Sequence, residues 1–352
     1  MGAEAPAQGA RDSGSDPAPD WTPRLLRIKN RILIGAVEVV RGLVCALPRE
    51  LSVALGASIG RAYARAYGPR TGIARINLGI GYPELSAAER KAMLVETYAN
   101  LGRMVAETAR LQTSTRDELL EIATIEGLEH LDQARKASRT GGAIILTAHF
   151  GSFELFAAIM ATRGVPISIV YRTANNPYLD RMIRSWREAH GIELIRRGVA
   201  ARAVLRSLGR GRCVVMPLDQ DTRLAEGVFV PFFGRPACTR DGPARIAMRL
   251  GVPVVPAFMF RVGAGALHQI RFLPPLALEP EGPDRRATDA AVLENVRRMS
   301  AAIEAAVREA PTQWIWSHRR WKTQPEGFQK PYRSKADRPL RRLGRWLGLR
   351  RK

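Results

Sequence analysis

The chain has few cysteines, a shortage of acidic residues and no long uninterrupted apolar run. Three cysteines, Cys45, Cys213 and Cys238, are scattered along its 352 residues. Neither their number nor their spacing fits a disulfide framework or a zinc site, so we expect reduced thiols in a cytosol-facing protein. Charge-poor stretches stay shorter than the roughly 20 residues that a clean membrane-spanning helix needs. We also find no signal peptide with a short apolar core and cleavage site.

Other absences narrow the chemistry. The sequence contains no GxGxxG, no P-loop, no GxSxG and no HExxH motif, and it therefore predicts neither a cofactor nor a metal. Lys and Arg number 55 against 33 Asp and Glu, which gives a net charge of +22. Such an excess predicts an acidic partner: nucleic acid, an anionic membrane surface, or an acidic or phosphorylated substrate.

Apolar runs alternate with helical segments from residue 141 onward. The runs predict strands buried on both faces, because they show no polar alternation: 142–149, 165–172, 213–219, 252–262 and 268–276. Helical segments are predicted at 153–163, 177–190, 199–209, 241–250 and 288–309. This order indicates an α/β fold with a mainly parallel central sheet flanked by helices. Sites in such sheets form at the carboxyl ends of the strands.

The ends of the chain differ from this central part. Residues 1–23 are rich in Ala, Gly, Pro, Ser and Asp and are predicted to be disordered. Residues 24–70 are apolar but interrupted by charges, which fits either a pair of amphipathic helices packed on the domain or a membrane-associated helical segment. Ser86-Ala-Ala-Glu89 is a capping box that opens a helix within the helical region 84–137. The basic segment 331–352 fits an interfacial helix or a solvated tail.

His149 and Glu154 lie in the apolar stretch "LTAHFGSFELF". His149 ends a predicted strand, Ser152 is a candidate N-cap, and Glu154 then falls in the first helical turn. A hydrogen bond from His149 to Glu154 would fix the histidine tautomer and raise the basicity of the other ring nitrogen. With no protein nucleophile nearby, the simplest reaction is deprotonation of an alcohol that attacks an activated acyl group. A core histidine beside a dipole-stabilising glutamate is the alternative.

Three further stretches carry candidate functional residues. Asp219 and Asp221 follow a predicted strand and suit either a binding site or turn chemistry. The aromatic cluster Phe229, Phe232 and Phe233 suits an acyl chain or membrane contact if exposed, and core packing if buried. In "WIWSHRRWKTQPEG", aromatics alternate with cations at positions 319, 320 and 322, which suits phosphate binding at an interface or nucleic acid.

These blocks in this order resemble the bacterial lipid A biosynthesis acyltransferases, the late lauroyl/myristoyl transferases of the lysophospholipid acyltransferase superfamily. The resemblance rests on "HFGSFE" as an H-x4-D/E motif and on the blocks "VYR" with "NP", "DQD", "VFVPFFG", "GVPVVP" and "WIWSHRRWKTQPEG". It implies an acyltransferase domain at 71–330 with one or more N-terminal membrane-associated helices. It also implies a bacterial inner-membrane location with the catalytic face toward the cytoplasm.

The resemblance assigns roles to individual residues. His149 is the general base, no acyl-enzyme forms, and Glu154 orients the base. Arg172 or Arg187 steadies the oxyanion or a substrate phosphate, and the aspartates of the "DQD" block shape the acceptor site. Contact with phosphate or membrane is expected of the cations Arg319, Arg320 and Lys322. The implied partners are acyl carrier protein as donor, a Kdo-lipid IVA type of lipid A precursor as acceptor, and the anionic inner-membrane surface, without nucleic acid.

Two alternatives remain at this point. Related enzymes of the superfamily also use the H-x4-E pattern, so another glycolipid or a phospholipid is a possible acceptor. A non-catalytic basic protein that binds membranes or nucleic acid is the alternative from a different class. The ordered motif blocks at strand ends argue against this second alternative, because electrostatic binding alone requires none of them.

Overall fold

The computed structural model describes residues 24–66, 68–174, 176–197 and 200–332. The segment 1–23 and the basic tail from residue 333 onward, for which we predicted disorder and an interfacial or solvated tail, lie outside these ranges.

A seven-stranded sheet organises the chain, in the order β1-β9-β8-β2-β5-β3-β4. Strands β8, β2, β5, β3 and β4 run parallel, β9 is antiparallel to β8, and β1 is parallel to β9. The strands are β1 (Ala123–Glu126), β2 (Ala143–Thr147), β3 (Ile167–Tyr171), β4 (Glu193–Arg196), β5 (Cys213–Pro217), β8 (Val254–Arg261) and β9 (His268–Phe272). An antiparallel hairpin of β6 (Gly227–Phe232) and β7 (Arg235–Arg240) stands apart. The predicted α/β fold with a mainly parallel sheet is confirmed.

Helices cover both faces of this sheet. They are α1 (Arg24–Ala46), α2 (Arg49–Arg65), α3 (Pro69–Gly81), α4 (Ala87–Arg110), α5 (Arg116–Glu121), α6 (Leu128–Ala137), α7 (Phe153–Thr162), α8 (Pro177–Ala189), α9 (Ala200–Gly209), α10 (Gly242–Leu250) and α11 (Arg285–Glu309). Helix α4 begins at the predicted capping box: Ser86 Oγ accepts from the Glu89 amide at 3.2 Å, and the Glu89 carboxylate accepts from the Ser86 amide at 2.7 Å.

The position of β2 at the centre of the sheet explains why its sequence is a continuous apolar run. All five of its residues are buried. Because side chains alternate across a strand, Ile144 and Leu146 pack into one core and Ala143 and Ile145 into the other. The first core also contains residues of α9, α10 and α11, and the second contains residues of α6 and α7. Strand β2 is therefore covered on both faces.

Two short strands differ from the sequence prediction. Strand β1 interrupts the predicted helical region, and β4 follows α8 where no strand was predicted. Each has four residues, too short for a periodic pattern to be read. The aromatic cluster belongs to the hairpin, in which Phe232 and Phe233 are buried, so the core alternative holds for these two.

The N-terminal helices α1 and α2 present apolar side chains outward. In the described part of the chain, no helix is both long enough and apolar enough to cross a bilayer. Exposed apolar residues nevertheless recur along α2 at every fourth position: Leu51, Leu55, Ile59 and Tyr63. On α1, Val39, Val40 and Leu43 are each at least 60% exposed. These helices therefore carry an apolar outer surface.

The opposite side of α2 packs against α4 through glycines. A Cβ placed on Gly102 of α4 would lie 2.0 Å from the carbonyl oxygen of Gly56 on α2. A Cβ on Gly60 would lie 2.0 Å from the carbonyl oxygen of Tyr98. The two backbones can approach this closely only because Gly56, Gly60 and Gly102 have no Cβ at these contacts.

We expect Gly102→Ala to lower the free energy of unfolding by about 1–3 kcal/mol, because the new methyl group meets backbone that cannot move independently. The control is Gly79→Ala in α3, where a Cβ has no neighbour within 4 Å. That change should stabilise by up to about 1 kcal/mol through helix propensity. Denaturant unfolding of the purified proteins measures both, and equal effects of the two changes would contradict the close crossing.

Candidate active site

His149 lies just beyond the carboxyl end of β2, and Asp219 lies just beyond the carboxyl end of the neighbouring strand β5. The ladder between the strands joins Thr147 to Pro217 and continues with a bond from the Leu218 amide to the Thr147 carbonyl. The same register brings Asp219 opposite His149. The two residues form a pair because adjacent parallel strands end at the same edge of the sheet.

Three donors hold the Asp219 carboxylate. Oδ1 is 2.9 Å from His149 Nδ1, and Oδ2 accepts from the His149 amide at 3.1 Å and from Trp314 Nε1 at 2.8 Å. The Asp219 side chain is only 3% exposed. Burial alone would raise its pKa, but the charge of His149 and these hydrogen bonds hold the pKa of Asp219 below its ordinary value. Asp219 is therefore an ionised, fixed partner for His149.

The His149 ring is arranged as a base. Burial acts to lower its pKa, but the charge and hydrogen bond of Asp219, with a smaller contribution from Glu154, raise the pKa above its ordinary value. Donation from Nδ1 to Asp219 leaves Nε2 with a free electron pair. The side-chain nitrogen of Gln220 lies 3.2 Å from Nε2, where it can donate. The ring is a quarter exposed, so Nε2 is open to a substrate that displaces Gln220.

Glu154 does not orient His149, and the predicted hydrogen bond between them is wrong. The Glu154 carboxylate instead accepts two bonds from Arg187 of α8, at 3.0 Å from Nε and 2.5 Å from its terminal nitrogen. Ser152 occupies the N-cap position of α7, but its side chain makes no capping bond. Glu154 therefore points toward α8, because a guanidinium fork satisfies both carboxylate oxygens at once. Arg187, predicted to contact substrate, is occupied by this ion pair.

Asp221 ties the loop after β5 to the C-terminal segment. Its carboxylate accepts from the amide and the hydroxyl of Thr323, at 3.0 and 3.1 Å. Its own amide donates to Nε2 of His318 at 3.1 Å. Burial lowers the pKa of His318 to about 4, so this ring is neutral and accepts a hydrogen bond at neutral pH.

The C-terminal aromatic stretch is mostly core. Trp314, Trp316 and Trp321 are each at most 1% exposed. Arg320 is fully buried and donates to the carbonyls of Gln220 and Cys238 and to the Thr239 hydroxyl. The predicted phosphate or membrane contact is therefore wrong for Arg320, whose guanidinium satisfies backbone oxygens in the interior.

The other two cations of this stretch differ from Arg320. The guanidinium of Arg319 lies 5.8 Å from the centre of the Tyr332 ring, and its side chain is half-buried. Lys322 is exposed. Arg172, at the carboxyl end of β3, is exposed as well. Contacts of these three residues with phosphate, oxyanion or membrane stay predictions.

A cavity of about 1000 Å³ lies near His149 but is not lined by it. It lies between α1, α2 and α4 on one side and α7 and α8 on the other, and its lining is mainly apolar. Phe153 and the Glu154–Arg187 pair form part of its wall. The Phe153 ring is 5.2 Å from the His149 ring, centre to centre. Phe153 therefore links the cavity to His149.

Sequence reasoning missed three residues at the site as individual participants: Gln220, Trp314 and His318. Asp219 was singled out, but not as the partner of His149. The available signal was the placement of His149 and Asp219 after two buried strands, although the sequence does not tell which strands are neighbours. Within the described ranges, no group of three or more His, Cys, Asp or Glu side chains is placed to hold a metal ion.

Comparison with known proteins identifies the family of the chain. The profile of the family described as bacterial lipid A biosynthesis acyltransferase matches residues 23–323. The chain is 28% identical over 291 residues to the lipid A biosynthesis lauroyltransferase of Escherichia coli K12, covering 82% of this chain and 91% of that protein. It is 30% identical over 288 residues to the lipid A biosynthesis palmitoleoyltransferase of the same organism, covering 81% and 90%.

The chain belongs to the bacterial lipid A biosynthesis acyltransferase family. The predicted family and the predicted enzyme class, an acyltransferase, are both confirmed. The non-catalytic alternative is thereby set aside.

We expect Asp219→Asn to lower the pKa of His149, because the change removes the charge that opposes the effect of burial on the ring. Titration of the His149 ring protons by NMR measures the shift. Glu154→Gln is the matched control, and it should lower the pKa less because its charge is the smallest contribution. A larger shift in the Glu154 variant would contradict the assignment of Asp219 as the partner.

Proposed function

We propose that this enzyme transfers a fatty acyl chain from acyl carrier protein to a hydroxyl group of a lipid A precursor of the Kdo-lipid IVA type. The observation that carries the proposal is the His149–Asp219 pair, which Phe153 links to a large apolar cavity. Relatives named as lauroyl- and palmitoleoyltransferases of lipid A biosynthesis support the acceptor.

His149 acts as the general base in a direct transfer. Nε2 removes the proton from the acceptor hydroxyl, and the oxygen then attacks the thioester carbonyl carbon and forms the new C–O bond. The resulting imidazolium is stabilised by the ionised carboxylate of Asp219 on Nδ1. The tetrahedral intermediate breaks its C–S bond, and the leaving sulfur takes the proton back from Nε2. No acyl-enzyme is needed in this sequence.

The charge that develops on the carbonyl oxygen needs donors. Helix α7 begins four residues after His149, and the amides of a first helical turn lack intrahelical partners. They are candidate donors for the oxyanion. Arg172 at the end of β3 would bind a phosphate of the acceptor, which fits an exposed cation at this edge of the sheet.

The Glu154–Arg187 pair has a positioning role. It joins the first turn of α7 to α8 across the cavity wall. Phe153, the preceding residue, packs edge-on against the His149 ring. Breaking the ion pair would therefore release the side of the cavity that is nearest the base.

The enzyme works at the cytoplasmic face of the bacterial inner membrane. The support is the apolar outer surface of α1 and α2, parts of which also line the cavity. Helices of this kind lie in the interface between lipid and water without crossing the bilayer. A cavity open toward them receives acyl chains without exposing these chains to water.

The test uses membranes that contain the full chain, acyl carrier protein loaded with a labelled acyl group, and the Kdo-lipid IVA acceptor. Mass spectrometry of the lipid should show the gain of one acyl chain. His149→Ala should lower the rate by about 10²–10⁴-fold, the typical contribution of a general base. The control is His130→Ala on α6, which lies toward the opposite edge of the sheet. No gain of mass with folded wild-type enzyme would refute the proposal.

The rate should also rise with pH through the pKa of His149, because only the neutral ring accepts a proton. Since Asp219 raises that pKa, the rising limb of the profile should lie above the ordinary value for histidine and should move to lower pH in Asp219→Asn.

We expect Val105→Trp to shift the enzyme toward shorter acyl chains, because Val105 lines the cavity and a larger side chain narrows it. Competition among carrier proteins loaded with chains of different length measures the preference. Val262→Trp is the control, since Val262 is about as exposed as Val105 and does not line the cavity. An unchanged chain-length preference in the Val105 variant would contradict binding of the acyl chain in this cavity.

A further inference from the structure

Four exposed arginines form a surface at one side of the active-site edge: Arg197, Arg202, Arg206 and Arg223. We call them the arginine surface. Arg197 follows β4, and Arg223 lies four residues beyond Asp219. On α9, Arg202 and Arg206 are one turn apart, on the side away from the buried Val204 and Leu208. The surface thus begins beside the catalytic loop and continues down α9.

Several arginines elsewhere on the protein surface are paired with acids: Arg245 contacts Asp241 and Asp289, and Arg298 contacts Glu279 and Glu294. Among the described residues, Arg202, Arg206 and Arg223 have no carboxylate within ion-pair distance. The charge of Arg197 acts on Glu226, but Glu226 is bound by Arg240 at 2.7 Å. The surface is left with uncompensated positive charge.

The arginine surface faces away from the apolar cavity. Val204 and Leu208 of α9 share a core with Ile144 of β2, whereas Leu155 and Phe156 of α7 share the other core with Ile145. Since neighbouring residues of a strand point to opposite faces, α9 and α7 lie on opposite faces of the sheet. The cavity is walled by α7 and α8, together with α1, α2 and α4. The charges of α9 therefore do not line the surface that suits a bilayer.

Distance limits what this surface can bind. Strand β4 is three positions from β2 in the sheet, or about 14 Å at the usual strand spacing. A group held by Arg197, just after β4, is therefore too far from His149 to be the reacting carbonyl. A donor bound here must carry its acyl group on a long extended arm that reaches over the edge of the sheet to the base.

We infer that the arginine surface is the docking site of an acidic acyl carrier protein, whose thioester arm extends across β3 and β5 to His149. This inference rests on the proposed function and adds the place at which the donor binds. The charges match, the surface lies on the water-facing side, and the span suits a protein-borne arm. Complementary charge of this kind speeds encounter and selects the partner.

The test compares two donors with the double variant Arg202→Glu/Arg206→Glu. One donor is the acyl carrier protein thioester, and the other is the same acyl group on pantetheine without protein. With the carrier donor, KM should rise at least about tenfold while kcat is unchanged, because docking charge affects encounter. With the pantetheine donor, the variant should match the wild type, which also shows that the variant is folded.

Lys136→Glu/Arg139→Glu is the matched control, since both residues are exposed and lie just before β2, at the opposite edge of the sheet. It should leave KM for the carrier donor unchanged. Added salt should raise the wild-type KM and affect the double variant less, because screening removes the same attraction.

An unchanged KM for the carrier donor in the double variant would overturn the inference. So would a loss of binding to anionic vesicles with KM unchanged in detergent, because the surface would then bind lipid. A wild-type enzyme that transfers from neither donor would instead refute the proposed function, so the two failures are distinguishable.

Discussion

The carboxylate of Asp219 is the point at which three parts of the chain meet. It binds the ring and the amide of His149 after β2, it follows β5 itself, and it accepts from the indole of Trp314 near the C-terminal end of the described chain. A buried carboxylate without donors would cost several kcal/mol. Its ionisation therefore depends on all three contacts, and each of the three segments is held in place by the same charge.

The tryptophan-rich C-terminal segment also holds the residues that follow β2 and β5 in place. Ile315 donates to the carbonyl of His149, and Phe150 forms an isolated bridge with Trp314. Below them, Arg320 binds the carbonyl of Gln220, next to Asp219. The loops that follow β2 and β5 are thus supported by a segment that is distant in sequence. Rigid support of this kind is what a base needs to keep one tautomer and one direction.

Much of this architecture could be predicted from the sequence. The buried strands were visible because a strand covered on both faces is a continuous apolar run, and α4 was visible from the capping box at Ser86. Position at strand ends also selected His149 and Asp219. The four-residue strands β1 and β4 were not visible, because four residues carry too little pattern.

The partners within the site could not be predicted. Glu154 is five residues from His149, yet it pairs with Arg187, because the direction of α7 and the position of α8 decide which groups meet. Asp219 is the neighbour of His149 because β5 lies next to β2 in the sheet. The order of strands in the sheet could not be predicted from the sequence. Arg320 shows a related limit. A cation among aromatic residues gives the same sequence pattern whether it binds phosphate at the surface or lies in the protein interior, as Arg320 does.

Gln220 has a consequence for the fate of the activated acyl group. Its side-chain nitrogen is 3.2 Å from Nε2 of His149. Because Nδ1 binds Asp219, Nε2 is the ring nitrogen that can accept a proton. A water molecule at that nitrogen would be activated as readily as an alcohol, and the thioester would be hydrolysed. In the proposed mechanism, the amide covers Nε2 until the acceptor displaces it. A flexible side chain can thus limit hydrolysis of the acyl thioester before the acceptor binds.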